Sequence, residues 1–317
     1  MPTVVPTIGL IARRRKRRLK NRLIRFTVCL LVLGMVFYLI FGWLKLQTGN
    51  LSKRVHSLSL NNQKGDLLKG TVEKVLEDTT GSYSVVVKNL KSGETFYQDE
   101  HKVYGSGSLY KLWVLATAFQ QVEDGSLKLD EQLTAKVEDL NGKFNLASDE
   151  AELNEGEISL TASDAIAQMI TISHNYSAML VTERVKLSNV INFLDKNGFS
   201  ESEFGSDNQP PTTTAFDIAL FFEKLYKGEL ANQESTNQML ELLKKQQLNG
   251  KLPKYLPENI AIAHKTGELG WFSHDVGIVY APKGDYIIVV LSQTEIPAAA
   301  EDRIAQLSKN VYDYFSD

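Results

Sequence analysis

Short β-rich apolar runs stand at 82–97 and 260–292, and apolar residues recur every third to fourth position between them, which predicts strands flanking a helical middle. Leu67, Leu68, Val72 and Val75 have helical spacing, and the run over 82–90, centred on Tyr83-Ser84-Val85-Val86-Val87, predicts a strand. Lys91-Ser92-Gly93-Glu94 is a turn signal that lets Thr95-Phe96-Tyr97 pair back on it. A helix over 112–119 follows, Asp124-Gly125 ends it, and a polar excursion begins at Leu127-Lys128-Leu129-Asp130. Thr161 to Asp164 and Thr214 to Asp217 are capping boxes for helices over 162–172 and 215–226, the second stopping at Gly228, and 233–243 has helical period as well. Strands return over 260–266, 270–281 and 284–292, with Pro282-Lys283-Gly284-Asp285 as a tight turn, before a last helix over 298–314.

Two strands before the helical block and three after it predict an α+β fold. Its centre would be one five-stranded antiparallel sheet assembled from both ends of the chain and flanked by N- and C-terminal helices, with an all-α domain inserted. The boundaries expected are 66–122 and 259–317 for the α/β part and 123–258 for a nearly all-helical part.

Charge changes the picture of the N-terminus. Residues 1–25 hold nine Lys and Arg, from Arg13 to Arg25, and no acid, so the rest of the chain carries 26 basic against 38 acidic residues. A basic run suits nucleic acid, but 26–44 follows directly without a single charge, so a membrane partner is expected and nucleic acid is not. Those residues span about 28 Å as a helix, close to a hydrocarbon core, and no small-x-small cleavage site follows Trp43. The expectation is an uncleaved signal anchor: a basic cytoplasmic tail (1–25), one transmembrane helix (26–44), a polar stalk (45–65) and an external domain (66–317) on a Gram-positive-type bacterial surface. Cys29, the only cysteine, falls in the span, leaving the external domain without disulfides.

Candidate chemistry begins at Gly105-Ser106-Gly107-Ser108-Leu109-Tyr110-Lys111. A Ser and a Lys three apart share one helix face, the glycines permit a sharp entry, and the free N–H groups of a first turn favour developing negative charge. Alone, the stretch reads better as an N-cap serine beside a solvated lysine, because serine is a common N-cap. Ser173-His174-Asn175 and Lys265-Thr266-Gly267 follow in order, however. The set resembles the penicillin-recognising serine enzymes, with their S-x-x-K, S-x-N and K-T-G signatures. The text around Ser108 to Leu133, Ile170 to Leu180, Thr212 to Leu230 and His264 to Val279 resembles the class A β-lactamases in particular, over roughly residues 66 to 317.

The resemblance implies that Ser108 is the nucleophile and Lys111 its base, a role that requires desolvation and a neighbouring cation such as Lys265 to lower the amine's pKa. It implies that Ser173 bridges the two lysines and passes a proton to the departing nitrogen, that Asn175 holds the acyl side-chain amide, and that Lys265 and Thr266 bind the substrate carboxylate. Gly267 completes the third motif, and the oxyanion would meet the N–H groups of Ser108 and Glu268. No metal cluster, phosphate loop or nucleotide fingerprint appears, so neither metal nor cofactor is expected.

Departures bear on the substrate. His174 replaces an aspartate and is read as structural. The segment between Asn175 and Thr212 is shorter than class A enzymes carry, and 199–211 contains no Arg, with Pro211 where an aspartate is expected. In the family that segment brings the glutamate that activates water for deacylation; Glu201 and Glu203 are outside its setting and read as surface acids. The expected function is a membrane-anchored external serine hydrolase that forms an acyl-enzyme with β-lactams and releases it slowly. The alternatives are a D-alanyl-D-alanine peptidase acting on cell-wall stem peptides and a binding module without turnover.

Overall fold

The structure, a computed structural model, describes Met35, Tyr38 and residues 67–149, 151–205 and 209–316. The tail, span and stalk expected from the sequence lie outside the described residues apart from Met35 and Tyr38, and no helix among the described residues is long and apolar enough to cross a membrane.

From residue 67 the chain is helical to 76 (α1) and then forms β1 (Ser82–Asn89) and β2 (Thr95–Gln98), followed by the short β3 (Tyr104–Gly105). A 3-10 turn, Gly107–Tyr110, leads into α2 (Lys111–Glu123). The middle contains β4 (Gln132–Lys136), α3 (Val137–Lys143), β5 (Glu157–Thr161), α4 (Ala162–Thr171), α5 (Asn175–Val185), α6 (Leu187–Asn197), β6 (Thr212–Thr213), α7 (Ala215–Tyr226) and α8 (Gln233–Lys244). The end is β7 (Ile262–Leu269), β8 (Phe272–Val279), β9 (Tyr286–Gln293) and α9 (Pro297–Ser316).

The five long strands form one antiparallel sheet in the order β2-β1-β9-β8-β7, as the two-before, three-after pattern predicts. Strand period explains why Tyr286 to Leu291 is apolar without a break. Ile287, Val289 and Leu291 enter the core shared with the central helices, while Tyr286, Ile288 and Val290 enter a second core against α1 and α9. Both faces are covered, so every position is buried. On α9 the residues that meet the second core are Ala300, Ile304, Leu307, Val311 and Phe315, one stripe at helical spacing. The central helix α2 is buried on all sides from Lys111 to Phe119, which makes it a rigid post for whatever its first turn carries. The predicted caps are present: Thr161 accepts from Asp164 N and Thr214 from Asp217 N.

The expectation of a nearly all-helical middle is corrected. β4 and β5 form a two-stranded sheet there, joined across the strands by Thr134 and Ser159. Only Leu133 of these strands is fully buried, so the apolar alternation is too weak to announce them. β3 and β6 form a second short ladder, extended by Ser106 N donating to Pro211 O at 2.8 Å. A proline serves at that position because the ladder asks it for an acceptor only. This ladder fixes the approach to Ser108.

Candidate active site

Ser108 lies in the 3-10 turn rather than in the first α-helical turn, and it opens onto a cavity of about 850 Å³. Two close approaches shape that turn. At Gly107, where φ is +50°, a Cβ would lie 2.7 Å from Glu268 N, so only glycine lets the end of β7 come this near. At Gly267 a Cβ would lie 2.8 Å from both Leu109 Cγ and Ser106 O. The glycine of the Lys-Thr-Gly motif is therefore a packing requirement, and it places the Glu268 amide beside the turn that carries Ser108. The N-terminal end of α2 points its positive pole at the same region.

Lys111 is fully buried beneath the cavity floor. Its Nζ donates to Ser173 O at 2.6 Å, to Asn175 Oδ1 at 2.9 Å and to Ser173 Oγ at 3.2 Å. Burial lowers its pKa to about 7, against the Glu152 carboxylate, which raises it. Lys265, also fully buried, donates from Nζ to Ser173 Oγ at 2.9 Å and to Thr266 O at 2.9 Å. Its pKa is held well below the ordinary lysine value by burial first and by the charge of Lys111 second. The Ser173 hydroxyl thus bridges two lysines whose ammonium forms are both disfavoured. When Lys111 is neutral it has two N–H donors and a lone pair, and the long contact to Ser173 Oγ is the one free to reverse.

Ser173 has φ of +57°, a conformation strained for a residue with a Cβ, and so sets its hydroxyl between the lysines. The next residue, His174, is the N-cap of α5, its Nδ1 accepting from Ser177 N at 3.2 Å, which explains a histidine there without any catalytic role. Of the sequence-predicted residues, Ser108, Asn175 and Glu268 line the cavity, while Lys111, Lys265 and Thr266 are buried behind it.

Two features escaped the sequence. Glu152, from the segment between α3 and β5, lines the cavity and accepts from Asn175 Nδ2 at 2.8 Å. Lys251 is buried, and its Nζ donates to Glu268 Oε1 at 2.8 Å and to His274 O at 3.2 Å, which adds a third cation behind the Lys-Thr-Gly strand. Its position is set by Leu252 N donating to Asp275, which also holds His264 at 2.9 Å. His274 receives Ser292 N on Nδ1 and donates from Nε2 to Gly105 O; burial lowers its pKa to about 4, so it contributes no charge near neutrality. Glu152 and Lys251 carry no motif, and neither has a sequence spacing that marks it.

The segment expected to matter for deacylation takes a different course. Glu201 accepts from Thr214 Oγ1 at 2.7 Å and lies 2.8 Å from His101 Nδ1, and neither Glu201 nor Glu203 lines the cavity. Phe204 lines it instead, edge-on to Tyr110 with ring centroids 5.3 Å apart. An apolar ring faces the site from this side.

Residues 67–315 match the profile of the beta-lactamase enzyme family. Beta-lactamase VEB-1 of Pseudomonas aeruginosa is 20% identical over 278 residues, which is 80% of this chain and 92% of that protein. The fold superposes on a beta-lactamase of Sphaerobacter thermophilus with a TM-score of 0.68 at 24% identity, covering 78% of this chain and 96% of the other. A mutant of PBP-A in an acyl-enzyme complex with penicillin-G gives 0.68 at 23% identity, covering 79% and 96%.

Proposed function

The chain belongs to the beta-lactamase enzyme family and is a serine hydrolase of it, and on that footing we propose that Ser108 is acylated by β-lactams and that the acyl-enzyme is long-lived. The observation that carries the proposal is the Ser173 hydroxyl held between Lys111 and Lys265. In the proposed sequence the neutral Lys111 amine takes the Ser108 proton as Oγ attacks the lactam carbonyl. The oxyanion is met by the amides of Ser108 and Glu268 at the positive end of α2. The ring C–N bond then breaks, and the nitrogen leaves with a proton passed through Ser173, so one proton travels from nucleophile to leaving group. Lys265 and Thr266 receive the substrate carboxylate, and Asn175 the acyl side-chain amide.

The slow release rests on the cavity wall. With Phe204 facing the site and Glu201 engaged by Thr214 and His101, no carboxylate from residues 199–205 is available to activate a water. Losing a placed general base costs about 10² to 10⁴ in rate. The same feature suits the second reading, a D-alanyl-D-alanine peptidase; a mutant of PBP-A, which shares the fold, was captured as an acyl-enzyme with penicillin-G. A module without turnover is disfavoured, because keeping a lysine fully buried is costly and pointless without a nucleophile to serve. A time course with a chromogenic cephalosporin tests the proposal: a burst near one equivalent followed by slow turnover supports it, and the absence of any burst or turnover removes it.

The proposal includes a location. The uncharged residues 26–44 behind nine basic residues would hold the domain outside the cytoplasmic membrane. Protease added to intact cells should then remove the domain and spare the N-terminal tail; digestion of the tail instead would reverse the orientation.

A further inference from the structure

The cavity has two ends, and the one beside Asn175 carries a charge that no motif predicts. Asn175 is gripped on both sides of its amide: Oδ1 accepts from Lys111 Nζ at 2.9 Å, and Nδ2 donates to Glu152 Oε1 at 2.8 Å. The Glu152 carboxylate therefore stands against the very N–H group that a substrate's acyl side chain would use. Cations elsewhere on this wall do not cancel it. Lys143 is paired with Glu183, and Lys186 follows the far end of α5, some 16 Å of helix rise from Asn175. Lys111 faces Glu152 across the Asn175 amide and feels its charge, but it is neutral in the form that acts as base.

We propose that Glu152 is a specificity-determining residue that makes this end of the cavity prefer substrates bearing an ammonium group on the acyl side and disfavour those bearing a carboxylate. The inference rests on the acylation reading above and names its substrate class. A neutral acyl amide must displace or share Nδ2 with the carboxylate. An acyl chain with an ammonium instead gains a partner in the same place, as would a peptide with a diamino acid before its D-alanyl-D-alanine end. A carboxylate there meets like charge. Because Glu152 is exposed to the solvent of the cavity, the effect is that of a screened charge, worth a several-fold change in rate for each sign of ligand charge.

The test compares second-order acylation rates of the full chain with three penicillins that differ at one position of the side chain: benzylpenicillin (uncharged), ampicillin (ammonium) and carbenicillin (carboxylate), at neutral pH. Ampicillin should outpace carbenicillin by on the order of tenfold, the ratio should shrink in high salt, and Glu152→Gln should bring it to within about twofold. Gln keeps an oxygen acceptor for Asn175, so a merely structural Glu152 would leave the ratio of the two rates unchanged in that variant. An unchanged ratio, or a wild-type ratio near one, overturns the inference while acylation itself stands. Failure of all three penicillins to acylate Ser108 overturns the parent reading and this inference with it.

Discussion

Lys265 donates from Nζ to the hydroxyl of Ser173 across 2.9 Å, joining a strand of the sheet to a loop of the helical block 92 residues earlier in the chain. The bond closes the floor of the cavity and leaves the serine hydroxyl shared with Lys111. If this hydroxyl relays the proton, Ser173→Ala should slow acylation by about 10² to 10⁴ without unfolding the protein. Labelling by a fluorescent penicillin should vanish in Ser108→Ala and persist in Ser106→Ala, whose hydroxyl donates only to its neighbour Gly107 O. Labelling that survived in Ser108→Ala would move the nucleophile elsewhere.

The pH dependence of acylation follows from the two lysines. Lys111 acts in its neutral form, and burial lowers its pKa to about 7, so the rate should rise as pH increases through about 7. Lys265 binds a carboxylate only as an ammonium, and burial first and Lys111 second lower its pKa, so carboxylate binding should be lost before the range of a solvated lysine. The second-order rate constant should therefore not keep climbing into that range. A rate that climbs steadily to the range of a solvated lysine would show that Lys111 is not the base.

Gly267→Ala should damage the site more than the fold. The added methyl would lie 2.8 Å from Leu109 Cγ and Ser106 O, forcing the Ser108 turn away from β7. Overpacking of this kind costs about 1 to 3 kcal/mol, a drop of several degrees in Tm for a domain this size, while acylation should fall by more than tenfold. Gly70→Ala, where a Cβ meets nothing within 4 Å, is the control: acylation should be unchanged and Tm should hold or rise slightly, since Gly70 lies within α1.

Glu201→Gln should leave the lifetime of the acyl-enzyme within about twofold of the parent, since its carboxylate is held by Thr214 and His101 away from the cavity. Stopped-flow release of the adduct measures this. A lifetime lengthened a hundredfold would identify Glu201 as the deacylation base.

Much of the architecture is legible in the chain because its signals are local and strong. Strand period in Tyr83 to Val87 and Tyr286 to Leu291, and the caps at Thr161 and Thr214, place the sheet and two helices within a residue or two. The β4 and β5 pair is not legible, because its strands are short and mostly polar. The constellation of Ser108, Lys111, Ser173 and Lys265 is legible only as three motifs in order, since no single one carries enough information. Glu152 and Lys251 are invisible in the sequence for a physical reason: each reaches the site from a loop whose course is set by tertiary packing, through hydrogen bonds to Asn175 and Glu268 that no spacing encodes. Glu203 is exposed, as read from the sequence, whereas Glu201 is half-buried and held by Thr214 and His101; neither is on the cavity wall.

Mass spectrometry of the intact protein mixed with excess benzylpenicillin tests the central claim most directly. The account predicts a single adduct of the mass of the intact antibiotic, located on Ser108, that forms near one equivalent and persists after the free drug is removed. An adduct that disappears within seconds of removing the drug would contradict the account, because some group on the cavity wall would then have to activate water at the ester.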